Sequence, residues 1–196
     1  TGTDVWLLML DTGFFTDHLA FQQERIVAEY DFIQSDSITQ NQENDPANQH
    51  NHGTATASAA GGFIAGELRG VAFDCKYLLA KTEIVNEEIQ AEEDYFVAAL
   101  EWGEALGADV VSSSLGYLDW YTYADLDGET AVTTRGVDIA VGLGMVCVTA
   151  AGNEGNTDWY YIIAPADADS AISVGAVDAT NTIANFSSHG PTSDGR

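Results

Sequence analysis

Val5-Trp6-Leu7-Leu8-Met9-Leu10-Asp11-Thr12-Gly13 is an apolar run that ends on a carboxylate and then on a turn-permissive glycine. Val5–Leu10 has no polar alternation, so it reads as a strand covered on both faces, the pattern of a parallel sheet. Similar runs recur along the chain at Ile26–Phe32, Val71–Lys81, Val110–Ser114, Met145–Ala151 and Ile172–Val177. Between them lie three helical stretches. His52–Gly66 is rich in Ala, Gly and Thr, and Thr130–Leu143 is amphipathic. In Glu92–Leu106, residues Phe96, Ala99, Leu100, Gly103 and Leu106 recur at helical spacing behind an acidic first turn. The alternation predicts a three-layer α/β fold, a mostly parallel sheet with helices on both faces. One domain over 1–196 is expected. Gln34–Asn51, dense in Gln and Asn, reads as a surface loop.

Composition narrows the partners. The chain has 196 residues, 45% of them hydrophobic, enough for a packed core, and no apolar run long enough to span a membrane. Thirty-one acidic residues face six basic ones, for a net charge of -25. Nucleic acid and anionic membranes need basic patches, so neither is expected as a partner. The excess fits either a salt-adapted protein or an acidic secreted enzyme, and the restriction of Lys to positions 76 and 81 favours the first. Cys75 and Cys147 each sit in an apolar run and read as buried free thiols.

In sheets of this kind ligands gather outside the carboxyl ends of the strands, and the polar anomalies fall there. Asp11 could be a shielded carboxylate that orients a histidine, or simply a turn residue. His52, in Asn51-His52-Gly53-Thr54-Ala55, sits where a polar loop enters a small-residue helix, a rigid mount for a general base. A lone histidine is more often a surface group. Pairing His50 with His52 as metal ligands finds no support in the spacing. Asn153 follows the strand end Ala150-Ala151-Gly152, where its amide could donate to a developing oxyanion or merely form a turn.

Taken together and in this order, Asp-Thr-Gly, His-Gly-Thr and Ala-Ala-Gly-Asn resemble the subtilisin-like serine proteases, or subtilases. Ser114-Leu115-Gly116, Ala164-Pro165-Ala166 and Phe186-Ser187-Ser188-His189-Gly190-Pro191 extend the resemblance over the whole chain. It implies a serine endopeptidase with Asp11 as triad acid, His52 as general base and acid, and Asn153 as oxyanion donor. It further implies that Ser114, Leu115 and Gly116 pair with an extended polypeptide substrate, that Ala151 and Gly152 form the opposite wall, and that Ile163 makes the specificity pocket shallow and apolar. Ala164–Pro165 matches a position where the family often has a cis peptide. The chemistry needs no cofactor. Structural calcium is common in the family, but Ala59–Gly66 offers no carboxylate where a calcium loop often lies, and no metal ligand is assigned. Asp167 and Asp169 offer other oxygens to a structural calcium whose site is not fixed, but read first as solvated surface charge.

The family's nucleophile stands in a Gly-Thr-Ser motif that this sequence lacks, and Ser193 lies in the terminal loop. The expectation is a domain truncated before the nucleophile, inactive as it stands, with residues also expected upstream of Thr1. The resemblance points to a secreted or cell-envelope location. Two rivals remain: a non-catalytic subtilase-like binding or scaffold module, and an aspartic peptidase. The second would require a second Asp-Thr-Gly copy or a homodimer.

Overall fold

An unbroken apolar run can settle as a strand only where both of its faces are covered, and β1 (Trp6–Asp11) is buried from Leu7 to Asp11. In the computed structural model, which describes residues 1–196, the chain forms two compact units, Thr1–Ser112 and Ser113–Arg196. The first holds β1, β2 (Ile26–Asp31), α1 (Asn51–Gly61), the hairpin β3 (Phe63–Ile64) and β4 (Leu68–Arg69), β5 (Lys76–Lys81) and α2 (Ala91–Leu106). It closes within β6 (Val110–Ser113), whose last residue begins the second unit. Its strands run in the order β2-β5-β1-β6, and β5 lies parallel to both β1 and β2.

Side chains alternate across a strand, so β1 serves two layers. Leu7 and Met9 join Tyr77 and Leu79 of β5 in a core that also takes Phe14, Phe21 and Ala57 of α1. Leu8 points the other way, against Gly103 of α2, where an added Cβ would meet the Leu8 side chain at 2.4 Å. Helices therefore cover both faces of a mostly parallel sheet, as the sequence predicts. Asp11, two residues beyond Met9, falls on the α1 face.

The second unit contains α3 (Val132–Gly142), β7 (Val146–Ala150) and β8 (Ile172–Val174), with β7 and β8 parallel. Its core gathers Leu126, Ala131, Ala151, Ile162, Ala164 and Ala166. Cys75 and Cys147 are buried free thiols, one in each unit, and burial pushes the Cys147 thiol up to about 11.

Three element boundaries depart from the sequence reading by several residues, and one loop is more buried than its composition suggests. The first helix stops at Gly61 rather than Gly66. Gly61 is pressed so close to Tyr77 that a Cβ there would lie 2.5 Å from the phenol oxygen, and Phe63 then turns away to pair with Arg69. Of Val71–Lys81, only Lys76–Lys81 is strand; Cys75 N–H closes a turn onto Ala72 O (2.8 Å). The last strand ends at Val174, short of Val177. Gln34–Asn51 carries no regular strand before α1 begins, yet Thr39 and Gln49 within it are fully buried, so it is more than a surface loop.

Asp167 requires a correction. It was expected in solvent and is instead completely buried, with its carboxylate accepting from Gly128 N–H (3.0 Å) and Thr134 Oγ1 (2.6 Å). Burial raises its pKa, and the two hydrogen bonds oppose that. Asp169 is exposed and pairs with Arg196.

Candidate active site

Asp11 ends β1 on the α1 face and has no exposed surface. The chain must leave the strand sharply there. Gly13 does so at φ +128°, packed so that a Cβ would lie 2.6 Å from Thr39 O. Asp11 Oδ1 accepts from Thr12 N–H (2.8 Å), and Oδ2 accepts from Thr56 Oγ1 (2.9 Å) one turn along α1. The strand end and the helix thus orient the carboxylate from two sides.

His52 occupies the first turn of α1, and its Nδ1 lies 2.6 Å from Asp11 Oδ1. This approach depends on Gly53, where a Cβ would stand 2.2 Å from Gly13 O and 2.9 Å from Asp11 Cβ. The bond to Asp11 raises the His52 pKa above its ordinary value, and partial burial works against it. The imidazole side chain is 53% exposed. With Nδ1 committed to Asp11, Nε2 is the nitrogen left for proton transfer.

Within the second unit, the residues singled out as substrate contacts lie on neighbouring segments. Ser114, Leu115 and Gly116 are half-buried just beyond β6, and Tyr117 bridges antiparallel to Ala164 through Tyr117 N–H to Ala164 O (2.8 Å). Ile163 N–H donates to Ala151 O (3.2 Å). The Ile163 side chain fills the space between two glycines: a Cβ on Gly116 would meet it at 2.4 Å and one on Gly152 at 3.0 Å. Asn153 is exposed in the bend after β7, following Gly152 at φ +112°. Ala164–Pro165 is cis, and so is Gly190–Pro191, which the sequence did not suggest. Ser193 is held in the terminal turn by its hydroxyl's bond to Ala124 O (3.1 Å).

Sequence reasoning missed several groups around these residues. Thr56 as a second donor to Asp11 was legible only once the helix register was known. A stacked row of rings, Tyr123 on Tyr161 and Tyr160 on His189, borders the Ile162–Ile163 segment, with Tyr160 at φ 65°. Glu83, Glu88 and Glu92 bring carboxylate oxygens within 4.8 Å of one another, yet both Glu92 oxygens accept from backbone, at Ile84 and Ile89. Ala59–Gly66, where a calcium loop might lie, instead forms the end of α1 and the hairpin strand β3.

A buried carboxylate bonded to a helix-mounted imidazole at the carboxyl end of a parallel strand is an arrangement able to hold an imidazole in one orientation and move a proton through its free nitrogen. The family model for subtilases matches residues 2–196, and the chain belongs to that family. Subtilisin DY of Bacillus licheniformis is 32% identical over 190 residues, spanning 96% of this chain and 62% of the relative. The serine protease AprX of Bacillus subtilis is 29% identical, with 100% of this chain and 45% of the relative covered. The chain thus spans between about half and three-fifths of these relatives. Among solved structures, the protease domain of PatA (S218A mutant) superposes with a TM-score of 0.78 at 22% identity over 97% of this chain and 64% of that one. MycP1 without its N-terminal propeptide gives 0.72 at 21%, covering 98% and 62%. At such identities the structures speak for the fold.

Proposed function

We propose that the chain supplies the acid, the base, the oxyanion donor and the substrate-pairing segment of a subtilisin-like serine endopeptidase. The observation that carries this is the 2.6 Å contact between the fully buried Asp11 and the half-exposed His52. In this reading His52 Nε2 takes the proton from a serine hydroxyl as the oxygen attacks the peptide carbonyl. The same nitrogen then returns it to the leaving amine. Asp11 holds the ring in the right tautomer and stabilises the imidazolium without accepting the proton itself.

Asn153 would donate its amide N–H to the oxyanion. Removing the equivalent donor costs roughly 10²–10³-fold in kcat, a value known from subtilisin itself. Ser114, Leu115 and Gly116 would pair with an extended polypeptide through main-chain hydrogen bonds, opposite Ala151 and Gly152. Ile163, lodged between Gly116 and Gly152, would leave a shallow apolar pocket that favours small or aliphatic side chains. The serine itself would come from a Gly-Thr-Ser segment, which this sequence does not contain, so the 196 residues alone would not turn over substrate. We place the protein outside the cell or at its envelope, a reading that rests on the family.

The test is peptide hydrolysis and fluorophosphonate labelling of the protein in its natural length, beside His52→Ala. Both signals are expected in the parent. The variant should lose several orders of magnitude in kcat/KM with its melting temperature little changed. Activity that survives His52→Ala would remove the residue from the mechanism. A parent that binds peptides without cleaving them or taking the label would be the non-catalytic module instead. Pepstatin sensitivity would point to the aspartic class, against which stands the single Asp-Thr-Gly of the sequence.

A further inference from the structure

Beside Asp11, β5 ends on a lysine. Lys81 is the register partner of Asp11 on one side and of Asp31 on the other. Register partners on parallel strands point to the same face, so three charged side chains stand in a row across the ends of β1, β5 and β2. None has any exposed surface. The ammonium nevertheless turns away from Asp11, to Asp31 Oδ2 at 2.8 Å and Asp45 Oδ2 at 2.7 Å. Asp45 belongs to the loop that delivers α1, and it also accepts from Gln42 N–H (2.9 Å) and Gln34 Nε2 (3.0 Å) of that loop.

A second tie lies three residues before His52. Gln49 is 1% exposed. Its Nε2 donates to Thr12 O (2.7 Å), next to Asp11, and to Glu83 O (2.5 Å), just past Lys81. Its Oε1 accepts from Val85 N–H (3.1 Å). A buried amine is costly to desolvate, and an apolar side chain of similar size would often serve stability as well. What the apolar substitute could not do is hold Asp45, and hence the loop, at a fixed place over the strand ends.

We propose that Lys81 and Gln49 are positioning residues for the Asp11–His52 pair: a buried clamp that pins the loop Gln34–His50 to the ends of β1 and β5 and so sets the distance from imidazole to carboxylate. The inference rests on the peptidase reading for its purpose, but its readout is a bond in the folded protein and needs no turnover. The charged and titratable groups on the segments that the clamp joins include Lys81 and, two residues on, Glu83; Asp31 and Glu29 from β2; and Asp45 and His50 from the loop. Glu29 is engaged by Thr39; α1 contributes none besides His52.

The experiment is an NMR titration of the ¹⁵N-labelled histidines in the parent, in Lys81→Met and in Gln49→Met. The clamp requires the His52 pKa to fall in both variants, by about one unit or a tenfold loss of proton affinity, as the contact with Asp11 slackens. The sign is diagnostic for Lys81→Met, because deleting a nearby cation would by itself raise the imidazole pKa. If Lys81→Met does not fold, Gln49→Met, which leaves every charge in place, carries the test. A His52 pKa unmoved or raised in the folded variants, even with a lowered melting temperature, overturns the proposal and leaves the cluster a matter of stability alone. A fall in pKa alongside a natural-length protein that cleaves no peptide would sink the peptidase reading and leave the clamp standing. An unmoved pKa in an active peptidase would do the reverse.

Discussion

At the scale of single residues, the Asp11–His52 contact couples protonation to folding. The folded-state pKa of His52 is raised, chiefly by its hydrogen bond to Asp11. A group raised in this way stabilises the fold fully below its unfolded value of about 6.5, and that contribution is lost as pH climbs through the higher folded value. Asp11→Asn removes the partner charge, so the His52 pKa should drop. The melting-temperature gap between parent and variant should then be wider near about pH 5.5 than near about pH 9. A gap that stays constant between those values would mean that the imidazolium draws nothing from Asp11. Asp11, His52 and Asn153 could be picked out in the sequence because each interrupts a small or apolar context at a strand or helix end. Thr56, Gln49 and Lys81 could not, since their roles depend on which strand lies beside which.

At the scale of elements, the site depends on how closely α1 can lie against β1. Gly53 has no room for a side chain: an added methyl would stand 2.2 Å from a backbone oxygen, which cannot swing aside. Gly53→Ala should therefore destabilise by roughly 1–3 kcal/mol, towards the upper end, as overpacking does. Urea denaturation would measure it, and the same variant should disturb the His52 titration. A stability within experimental error of the parent would show that α1 can retreat. The type of each long element was legible, because uniformly apolar strands and a three-and-four helical repeat leave little choice. Boundaries were less so. Gly61 and Gly62 look like more of the same small-residue helix, and only the crowding of Tyr77 and the pairing of Phe63 with Arg69 end it there. Asp167 is buried, against its reading from sequence, for a related reason. Nothing near it in the chain hints that Gly128 and Thr134, from distant segments, enclose its carboxylate.

At the scale of the whole molecule, the excess of acid is sharper than the count of -25 conveys. Of six basic side chains, Lys81 is sealed between Asp31 and Asp45. Arg25 is drawn to Cys75 O and the Tyr77 ring, and Arg196 is bound to Asp194 and Asp169. Few cations are left to neutralise the acidic surface, so self-repulsion should be strong at low ionic strength and screened by salt. The melting temperature should rise from low salt to molar KCl. A flat response would argue against salt adaptation.

The burial of Lys81 also has a practical consequence. With lysine only at positions 76 and 81, and the latter without exposed surface, an amine-acylating reagent meets a single lysine side chain on the folded protein. A dye or tether coupled to that side chain, as distinct from the α-amine that such a reagent also acylates, would sit at the opposite end of β5 from Asp11 and His52.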